Sequence, residues 1–172
     1  MPGLKNKTQI RAVVITVSDS RTEADDVSGV TLVGLLLEIE AEIIEKIIVS
    51  DDLETLTAVL KTQSERAEVN LIFTVGGTGL AARDNTPEAT RAVIEREAPG
   101  ISEAMRLQTL KNTPMAMLSR GVCGARGKCL IINFPGSTDA VRECFAVIKP
   151  VLSHAVNLLK GETEHDTETL AV

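Results

Sequence analysis

The chain has 172 residues, of which 44% are hydrophobic, and it carries a formal net charge of −6. This length predicts one globular domain over residues 1–172, with its core at residues 8–160. The charges are spread along the chain, so there is no basic stripe to bind the phosphates of a nucleic acid. Tyr and Trp are absent, so a platform for base stacking is also missing. The composition therefore disfavours nucleic acid as a partner.

Apolar runs alternate with amphipathic runs along the chain. Short runs rich in Val, Ile and Leu predict buried β-strands, and apolar residues at helical spacing predict helices between them. The predicted strands are residues 10–17, 42–49, 70–75 and 128–134, and the predicted helices are residues 29–40, 53–66 and 138–160. Pro150 lies inside the last helix and predicts a kink or a break there, because proline lacks a backbone N–H. The alternation predicts an α/β fold, in which helices layer a sheet.

The sequence predicts neither secretion nor membrane insertion. The apolar run at residues 12–17 is too short for a signal peptide, and the longest apolar segment, residues 30–48, is interrupted by charged side chains. We therefore expect a cytoplasmic protein with no membrane partner. Residues 161–172 are acidic and lack an apolar stripe, so we expect this tail to be loosely ordered or to pack on a neighbouring subunit.

The three cysteines are interpreted as small buried hydrophobic residues. Cys123, Cys129 and Cys144 form no C-x-x-C pair and have no neighbouring histidine. Residues 124–127 predict a turn, which would bring Cys123 and Cys129 towards each other across a hairpin. A zinc site is disfavoured there because a closed site needs four ligands.

The stretch TVGGTGLAARDNTPEAT, residues 74–90, places glycines between a strand and a helix start. Thr86 is the predicted N-cap and Pro87 the predicted first helical residue. Glycines let a ligand approach the backbone, and a helix start carries partial positive charge, so the stretch predicts a phosphate-binding loop. The predicted ligand-binding residues are Gly76, Gly77, Thr78 and Gly79. Their spacing matches neither G-x-G-x-x-G nor the nucleotide-triphosphate loop, so a turn that only reverses the chain stays an alternative.

Asp84 lies in the same stretch and adds a carboxylate to the predicted phosphate site. A carboxylate repels phosphate unless a cation joins them, so this pattern predicts Mg²⁺ between Asp84 and phosphate oxygens. The alternative is that Asp84 is only a favourable charge at a helix N-terminus and that Arg83 is a solvated loop charge.

The other predicted strands also end in small polar residues. In open α/β sheets, ligands bind outside the carboxyl ends of the strands, so these ends predict one shared site for an anionic ligand. They comprise Ser18 and Asp19, Asp51 and Asp52, and Gly136 and Ser137. Each end also has a capping alternative. Ser137 suits the N-cap of the predicted helix at residues 138–160, and Asp51 or Asp52 suits the N-cap of the predicted helix at residues 53–66.

Several motifs of the sequence together resemble a known family. The stretch TVGGTGLAARDNTPEAT, followed by APGISEAMR, MAMLSRGVCG and NFPGS, resembles the molybdenum-cofactor biosynthesis family that includes MogA, MoaB and a domain of gephyrin. The resemblance covers about residues 11–160. The segment VSDSRTEADDVSG and the short length are more similar to MoaB than to MogA.

The resemblance implies a three-layer α/β/α sandwich with a mostly parallel central sheet, assembled as a homotrimer or a homohexamer. It implies Mg²⁺-dependent adenylylation of molybdopterin by ATP, which gives adenylyl-molybdopterin and pyrophosphate. The implied partners are molybdopterin, ATP, further copies of the chain and the molybdate-insertion enzyme of the pathway.

The family's two functional aspartates correspond to Asp51 and Asp84, so the resemblance implies that these two residues are catalytic and bind Mg²⁺. Asp52 is adjacent to Asp51 and stays an alternative to it. The residues that match the family's substrate- and phosphate-binding positions are Ser18, Asp19, Gly76, Gly77, Thr78, Gly79, Gly136 and Ser137. A protein that binds molybdopterin or a nucleotide without turnover is the main rival function. A nicotinamide-dependent dehydrogenase is disfavoured, because the fingerprint spacing is missing and the glycine loop follows the third strand.

Overall fold

A computed structural model describes residues 8–161 of the chain. Its strands are β1 Arg11–Val17, β2 Glu42–Val49, β3 Leu71–Val75, β4 Arg96–Glu97, β5 Cys123–Arg126 and β6 Cys129–Phe134. Its helices are α1 Val27–Glu38, α2 Leu53–Ser64, α3 Thr86–Val93, α4 Pro99–Thr109 and α5 Thr138–Lys160, with a 3₁₀ helix at Pro114–Leu118. The predicted tail lies outside the described residues apart from Gly161.

The strands form one sheet in the order β2-β1-β3-β6-β5-β4. The first four strands of this order run parallel to one another, whereas β5 and β4 are antiparallel additions at one edge. The predicted α/β class with a mostly parallel sheet is therefore confirmed. All five side chains of β3 are buried, because this strand lies in the middle of the sheet with helices on both faces.

Helices cover the sheet in two layers, each with its own hydrophobic core. On one face, α1, α4 and α5 pack around Phe73 and Phe134, whose ring centroids lie 4.9 Å apart in an edge-to-face contact. On the other face, α2 and α3 pack against Ile15, Ile72 and Ile131. The result is the three-layer α/β/α sandwich that the family resemblance implied.

Of the kink or break predicted at Pro150, the break is wrong, since α5 continues from Thr138 to Lys160, and the kink stays a prediction. Ile148 and Leu152, on either side of the proline, are both buried in the same core. Burial of this apolar stripe outweighs the loss of one backbone hydrogen bond, and Pro150 itself is exposed. Within residues 8–161, every helix falls short of the length or apolar character needed to cross a bilayer.

The predicted turn at residues 124–127 is also displaced. Residues 123–126 form β5, and the hairpin turns at Gly127, which has a φ of +53°. Cys129 pairs with Arg126, while Cys123 pairs with Ile132, so the two cysteines point into cores on opposite faces of the sheet. All three cysteines are buried and free, as interpreted, and burial raises the pKa of each thiol to about 12.

A buried amide joins the strands on either side of the sheet's parallel-to-antiparallel boundary. Asn133 on β6 donates to the hydroxyls of Thr74 on β3 (2.9 Å) and Thr90 on α3 (2.8 Å). Its Oδ1 accepts from the backbone N–H of Val122, at 3.0 Å. Because Asn133 is 1% exposed, water cannot replace these bonds.

We predict that Asn133→Ala lowers the free energy of unfolding by about 2–4 kcal/mol, because it leaves the N–H of Val122 and two hydroxyls buried without partners. Chemical denaturation measures this loss. The matched variant Asn112→Ala, at an exposed position, should unfold within about 0.5 kcal/mol of the parent protein. Equal stability of the two variants would contradict the role given to Asn133.

Candidate active site at the carboxyl ends of the parallel strands

The loops that follow β1, β2, β3 and β6 meet at one edge of the sheet. The backbone N–H of Asp51, after β2, donates to Asp19 Oδ1, after β1, at 3.1 Å. A Cβ on Gly136, after β6, would lie 3.4 Å from the Cα of Gly76, after β3. The structure therefore brings together the polar strand ends that the sequence predicted as a shared site.

The glycine loop has a backbone geometry that other residues rarely adopt. Gly76 and Gly77 have φ values of +105° and +63°. A Cβ on Gly76 would lie 2.6 Å from the carbonyl oxygen of Val17, and one on Gly77 would lie 2.4 Å from Thr86 Oγ1. The loop therefore requires glycine at both positions.

Three amide groups of this loop have no protein acceptor among residues 8–161. The N–H of Gly76 donates to the carbonyl of Phe134, but within residues 8–161 those of Gly77, Thr78 and Gly79 donate to no protein acceptor. Successive free amides beside a helix start are a geometry that binds anions.

The helix after the loop begins differently from the prediction. Asn85, not Thr86, is the N-cap of α3, and its side chain makes no cap hydrogen bond. It donates instead to the backbone carbonyl of Asp51, at 2.7 Å. Thr86 is the first helical residue, and its hydroxyl donates to the carbonyl of Gly76, at 2.9 Å. Both side chains are used to hold loops in place, which overrides the local capping preference.

Asp51 and Asp52 have different roles. Asp52 is the N-cap of α2, and its carboxylate accepts from the N–H of Thr55 at 2.8 Å. The Asp51 carboxylate faces the glycine loop, with Oδ1 3.0 Å from where a Cβ on Gly77 would lie. Burial, followed by the charges of Asp19 and Asp84, raises the pKa of Asp51.

Asp84 closes the far end of the glycine loop. Its Oδ2 accepts from the N–H of Ala81 at 2.9 Å and lies 2.8 Å from where a Cβ on Gly79 would be. Its carboxylate is therefore a turn-closing group as well as a charge beside the loop. Asp51 and Asp84 therefore both lie beside the glycine loop, at Gly77 and at Gly79, and their joint action on one ligand stays a prediction.

Arg120 fixes the glycine loop from outside. Its Nε donates to the carbonyl of Gly79 and its Nη2 to that of Asp84, both at 2.7 Å. The guanidinium also forms an ion pair with Glu88 on α3. Its backbone N–H donates to the carbonyl of Thr78, at 2.8 Å. One side chain thus ties the loop to the first turn of the following helix.

Arg83 is not a freely solvated charge. Its guanidinium binds the carboxylate of Asp19 through Nε and through Nη2, the latter at 3.0 Å. The hydrogen bond from Arg83 holds the pKa of Asp19 below its usual range. Because Asp19 also accepts from Asp51, this pair links the loops after β1, β2 and β3.

The loops after β1 and β6 are joined through one carbonyl. The backbone oxygen of Gly136 accepts from Arg21 Nη2 at 3.0 Å and from the hydroxyl of Ser28 at 2.7 Å. Ser18 Oγ accepts from the N–H groups of Ser20 and Arg21, which shapes the first loop. Ser137 is the N-cap of α5, as its capping alternative predicted.

A buried ion pair supports the first of these loops. The side chain of Asp26 has no exposed surface, and its Oδ2 lies 2.7 Å from both Lys46 Nζ on β2 and Thr16 Oγ1 on β1. Its Oδ1 accepts from the N–H of Gly29 and caps α1. Burial favours a higher pKa for Asp26, but the hydrogen bonds from Lys46, Thr16 and Gly29 outweigh it and hold the pKa below its usual range.

Comparison with known proteins shows which family carries this site. Residues 13–154 match the family described as a probable molybdopterin binding domain. The chain belongs to this molybdopterin-binding family. The resemblance inferred from the glycine loop and the later motifs is thereby confirmed.

Individual members of the molybdopterin-binding family are similar over most of the chain. A molybdopterin adenylyltransferase of Helicobacter pylori is 37% identical over 152 residues, which cover 86% of each chain. The molybdenum cofactor synthesis protein cinnamon of Drosophila melanogaster is 43% identical over 150 residues, which span 85% of this chain and 25% of that protein. The crystal structure of the molybdopterin biosynthesis enzyme MoaB from Thermus thermophilus superposes with a TM-score of 0.82 at 44% identity, and covers 89% of this chain and 98% of that chain.

Several residues of the site were not found from the sequence. Arg120 and Arg21 gave no local signal, because their partners are backbone carbonyls distant along the chain. Asp26 could have been found as an N-cap, since it stands before the apolar run that forms α1. Lys46 could have been noted because it is the one basic residue of β2, EIIEKIIV, whose other residues are apolar or glutamate.

We predict opposite effects of removing the two neighbouring aspartates. Because the folded state raises the pKa of Asp51, its ionised form destabilises the ligand-free protein above that pKa. Asp51→Ala should therefore raise the thermal midpoint at neutral pH, and the gain should disappear as the pH falls below the usual carboxyl range.

The control is Asp52→Ala, which removes a cap and should cost about 1 kcal/mol at neutral pH. Thermal unfolding of both variants between neutral and mildly acidic pH measures the contrast. A lower midpoint for Asp51→Ala at neutral pH would show that its carboxylate is a stabilising group.

Proposed function

We propose that this chain is a molybdopterin adenylyltransferase, which uses ATP and Mg²⁺ to convert molybdopterin into adenylyl-molybdopterin and pyrophosphate. The observation that carries the proposal is the glycine loop, with three amides that lack a protein acceptor among residues 8–161 and two carboxylates beside it, Asp51 next to Gly77 and Asp84 next to Gly79. The relative from Helicobacter pylori that bears this name is 37% identical and aligns along 86% of both chains.

The chemistry asks for positioning rather than proton abstraction. A terminal phosphate of molybdopterin, as a monoester with a second pKa of about 6, is largely dianionic at neutral pH. Its oxygen attacks the α-phosphorus of ATP, a new P–O–P bond forms, and the bond to the β-phosphate breaks so that pyrophosphate leaves. No general base is needed, so we assign Asp51 and Asp84 to holding and orienting the reacting phosphates through a cation.

The residues around the loop fit Mg²⁺. Asp51 and Asp84 offer hard carboxylate oxygens. Burial, with the charges of Asp19 and Asp84, raises the pKa of Asp51, and a cation beside it would favour its ionised form. Within residues 8–161, no group of three or more His, Cys, Asp or Glu side chains could hold a metal alone. Mg²⁺ is usually bound by one or two carboxylates with phosphates and water, so the substrates would complete its shell. When bound, Mg²⁺ would neutralise charge that develops on the phosphates.

A molybdopterin-binding protein without turnover is the alternative. It would use the same loop and the same amides, because binding needs the cradle but not the in-line placement of two phosphates. Pyrophosphate release separates the two functions. Tight molybdopterin binding without any pyrophosphate release, in the presence of ATP and Mg²⁺, would favour the binding protein.

We predict that Asp84→Asn lowers turnover by at least about 100-fold, a loss of roughly 3 kcal/mol of transition-state stabilisation. Asparagine keeps an acceptor for the N–H of Ala81 and removes only the charge, so the loop should stay closed. Molybdopterin affinity without Mg²⁺ should be unchanged or higher, because a repulsive charge is lost. Pyrophosphate release and molybdopterin titration measure the two effects.

Asp139→Asn is the matched control, since Asp139 is an acidic residue in the first turn of α5. A charge that only favours a helix N-terminus is worth at most about 1 kcal/mol of stability. If Asp84→Asn behaves like Asp139→Asn and retains near-parental turnover, the role proposed for Asp84 is wrong.

We also propose that the chain self-associates, as a trimer or a hexamer. The 3₁₀ helix Pro114–Leu118 has no buried residue. Its two methionines, Met115 and Met117, are 62% and 68% exposed, and Leu118 in the same helix is 46% exposed. Large apolar side chains clustered at a surface are typical of interfaces. A cytoplasmic location and contact with the molybdate-insertion enzyme belong to the same proposal.

Light scattering at micromolar concentration should therefore give a mass of three or six chains. Met117→Lys should shift the mass towards the monomer if this surface forms the interface, because burial of an unpaired ammonium is costly. A monomer in the parent protein would contradict self-association.

A further inference from the structure

A second cleft lies outside the glycine loop, where two motifs of the sequence meet without an assigned role. The cleft has a volume of about 320 Å³. Pro99, Ser102 and Arg106 of the APGISEAMR stretch line one side, and Ser119, Arg120 and Gly121 of the MAMLSRGVCG stretch line the other. Arg91 and Glu97 complete its rim.

Two guanidinium groups of this cleft form no close ion pair. Ion pairs with acidic side chains occupy five other arginines, namely Arg21, Arg66, Arg83, Arg120 and Arg126. In the described part of the chain, the Arg91 side chain makes no hydrogen bond and only a longer-range attraction to Glu88, which Arg120 already pairs. The Arg106 side chain donates only to the carbonyl of Gly121, at 2.9 Å. Most of the donors of these two side chains are therefore available in one place.

Ser102 provides an independent observation. It is 3% exposed, and its Oγ is buried with no hydrogen-bond partner among residues 8–161. A buried hydroxyl without a partner costs roughly 1–3 kcal/mol. Such a group in the wall of a cleft is explained if a ligand bonds it.

The start of α4 adds positive potential at the same place. Pro99 is the first residue of this helix, and the N-cap residue Ala98 provides no side-chain acceptor. Pro99 has no N–H and Ile101 donates to the carbonyl of Ala98, so the amide of Gly100 and the partial positive charge of the helix start are what this turn offers to the cleft. Glu97 is the one carboxylate in the lining, and Glu88 is already paired with Arg120.

We propose that this cleft binds a small anion of the phosphate class, either inorganic phosphate or a phosphomonoester. Paired guanidinium forks and a hydroxyl match the several acceptor oxygens of a tetrahedral anion. The site is distinct from the glycine loop, which Arg120 reaches with its other contacts. The protein would then have two phosphate-binding sites, one beside Arg91 and Arg106 and the one proposed at Gly77.

Residue-resolved NMR titration distinguishes the two positions, because each contains glycine amides. Gly100 and Gly121 report on the cleft, and Gly77 and Gly79 report on the loop. The titration uses the full chain without Mg²⁺, with inorganic phosphate in one arm and methyl phosphate in the other. We expect saturable shifts at Gly100 and Gly121 in at least one arm, and the arm with the higher affinity identifies the source of the phosphate group.

Variants test whether the named side chains bind the anion. Arg91→Gln and Ser102→Ala should each weaken binding in the cleft by about tenfold. Arg142→Gln, at an exposed position on α5 outside the cleft, should leave it unchanged. Ser102→Ala should also keep or raise the thermal midpoint, because it removes an unpartnered hydroxyl. Arg91→Gln changes an exposed side chain and keeps the test decisive if Ser102→Ala unfolds.

Three outcomes would overturn the proposal. The first is the absence of saturable shifts at Gly100 and Gly121 in both arms. The second is an equal loss of affinity in Arg91→Gln and Arg142→Gln, which would indicate general attraction by surface charge. The third is a loss of the Gly100 and Gly121 shifts in Gly77→Val but not in Ser102→Ala, which would place the only anion in the glycine loop.

Discussion

The site depends on the close approach of two backbone segments, at Gly76 and Val17. A Cβ on Gly76 would lie 2.6 Å from the Val17 carbonyl oxygen, so the loop after β3 can cross the end of β1 only as glycine. The next three amides, those of Gly77, Thr78 and Gly79, have no acceptor among residues 8–161. The crossing also brings Gly77 next to Asp51, so that the loops after β3 and β2 are in contact.

The surrounding side chains hold this arrangement in place through hydrogen bonds to the loops. Arg120 binds the carbonyls of Gly79 and Asp84 at the far end of the glycine loop, and Arg83 binds Asp19. The buried Asp26 joins β1, β2 and α1 beneath the first loop. Because these charges are paired, the acidic side chains of the frame have pKa values below their usual range. A ligand therefore meets a preformed site and does not have to order it.

Much of this organisation could be predicted from the sequence, because apolar periodicity identifies buried strands and helices regardless of their partners. The four parallel strands and the glycine loop follow from such local patterns. The sequence did not predict β5 and α4, whose short and mixed segments gain their structure from neighbours. The roles of Thr86 and Asn85 were also missed, since carbonyls of Gly76 and Asp51 from distant loops compete with local capping. Long-range partners are what a single sequence shows least.

Asp51 differs from its neighbours in a way that bears on function. Asp19 and Asp52 lie close by in the chain or in space, and hydrogen bonds lower the pKa of each. Asp51 alone among these three has its pKa raised, with burial and the charges of Asp19 and Asp84 as the causes. A fold selected only for stability would have paired or removed such a carboxylate. A buried carboxylate next to the glycine loop is explained if, as proposed, a cation and a phosphate complete the site, since the two together would balance the charge.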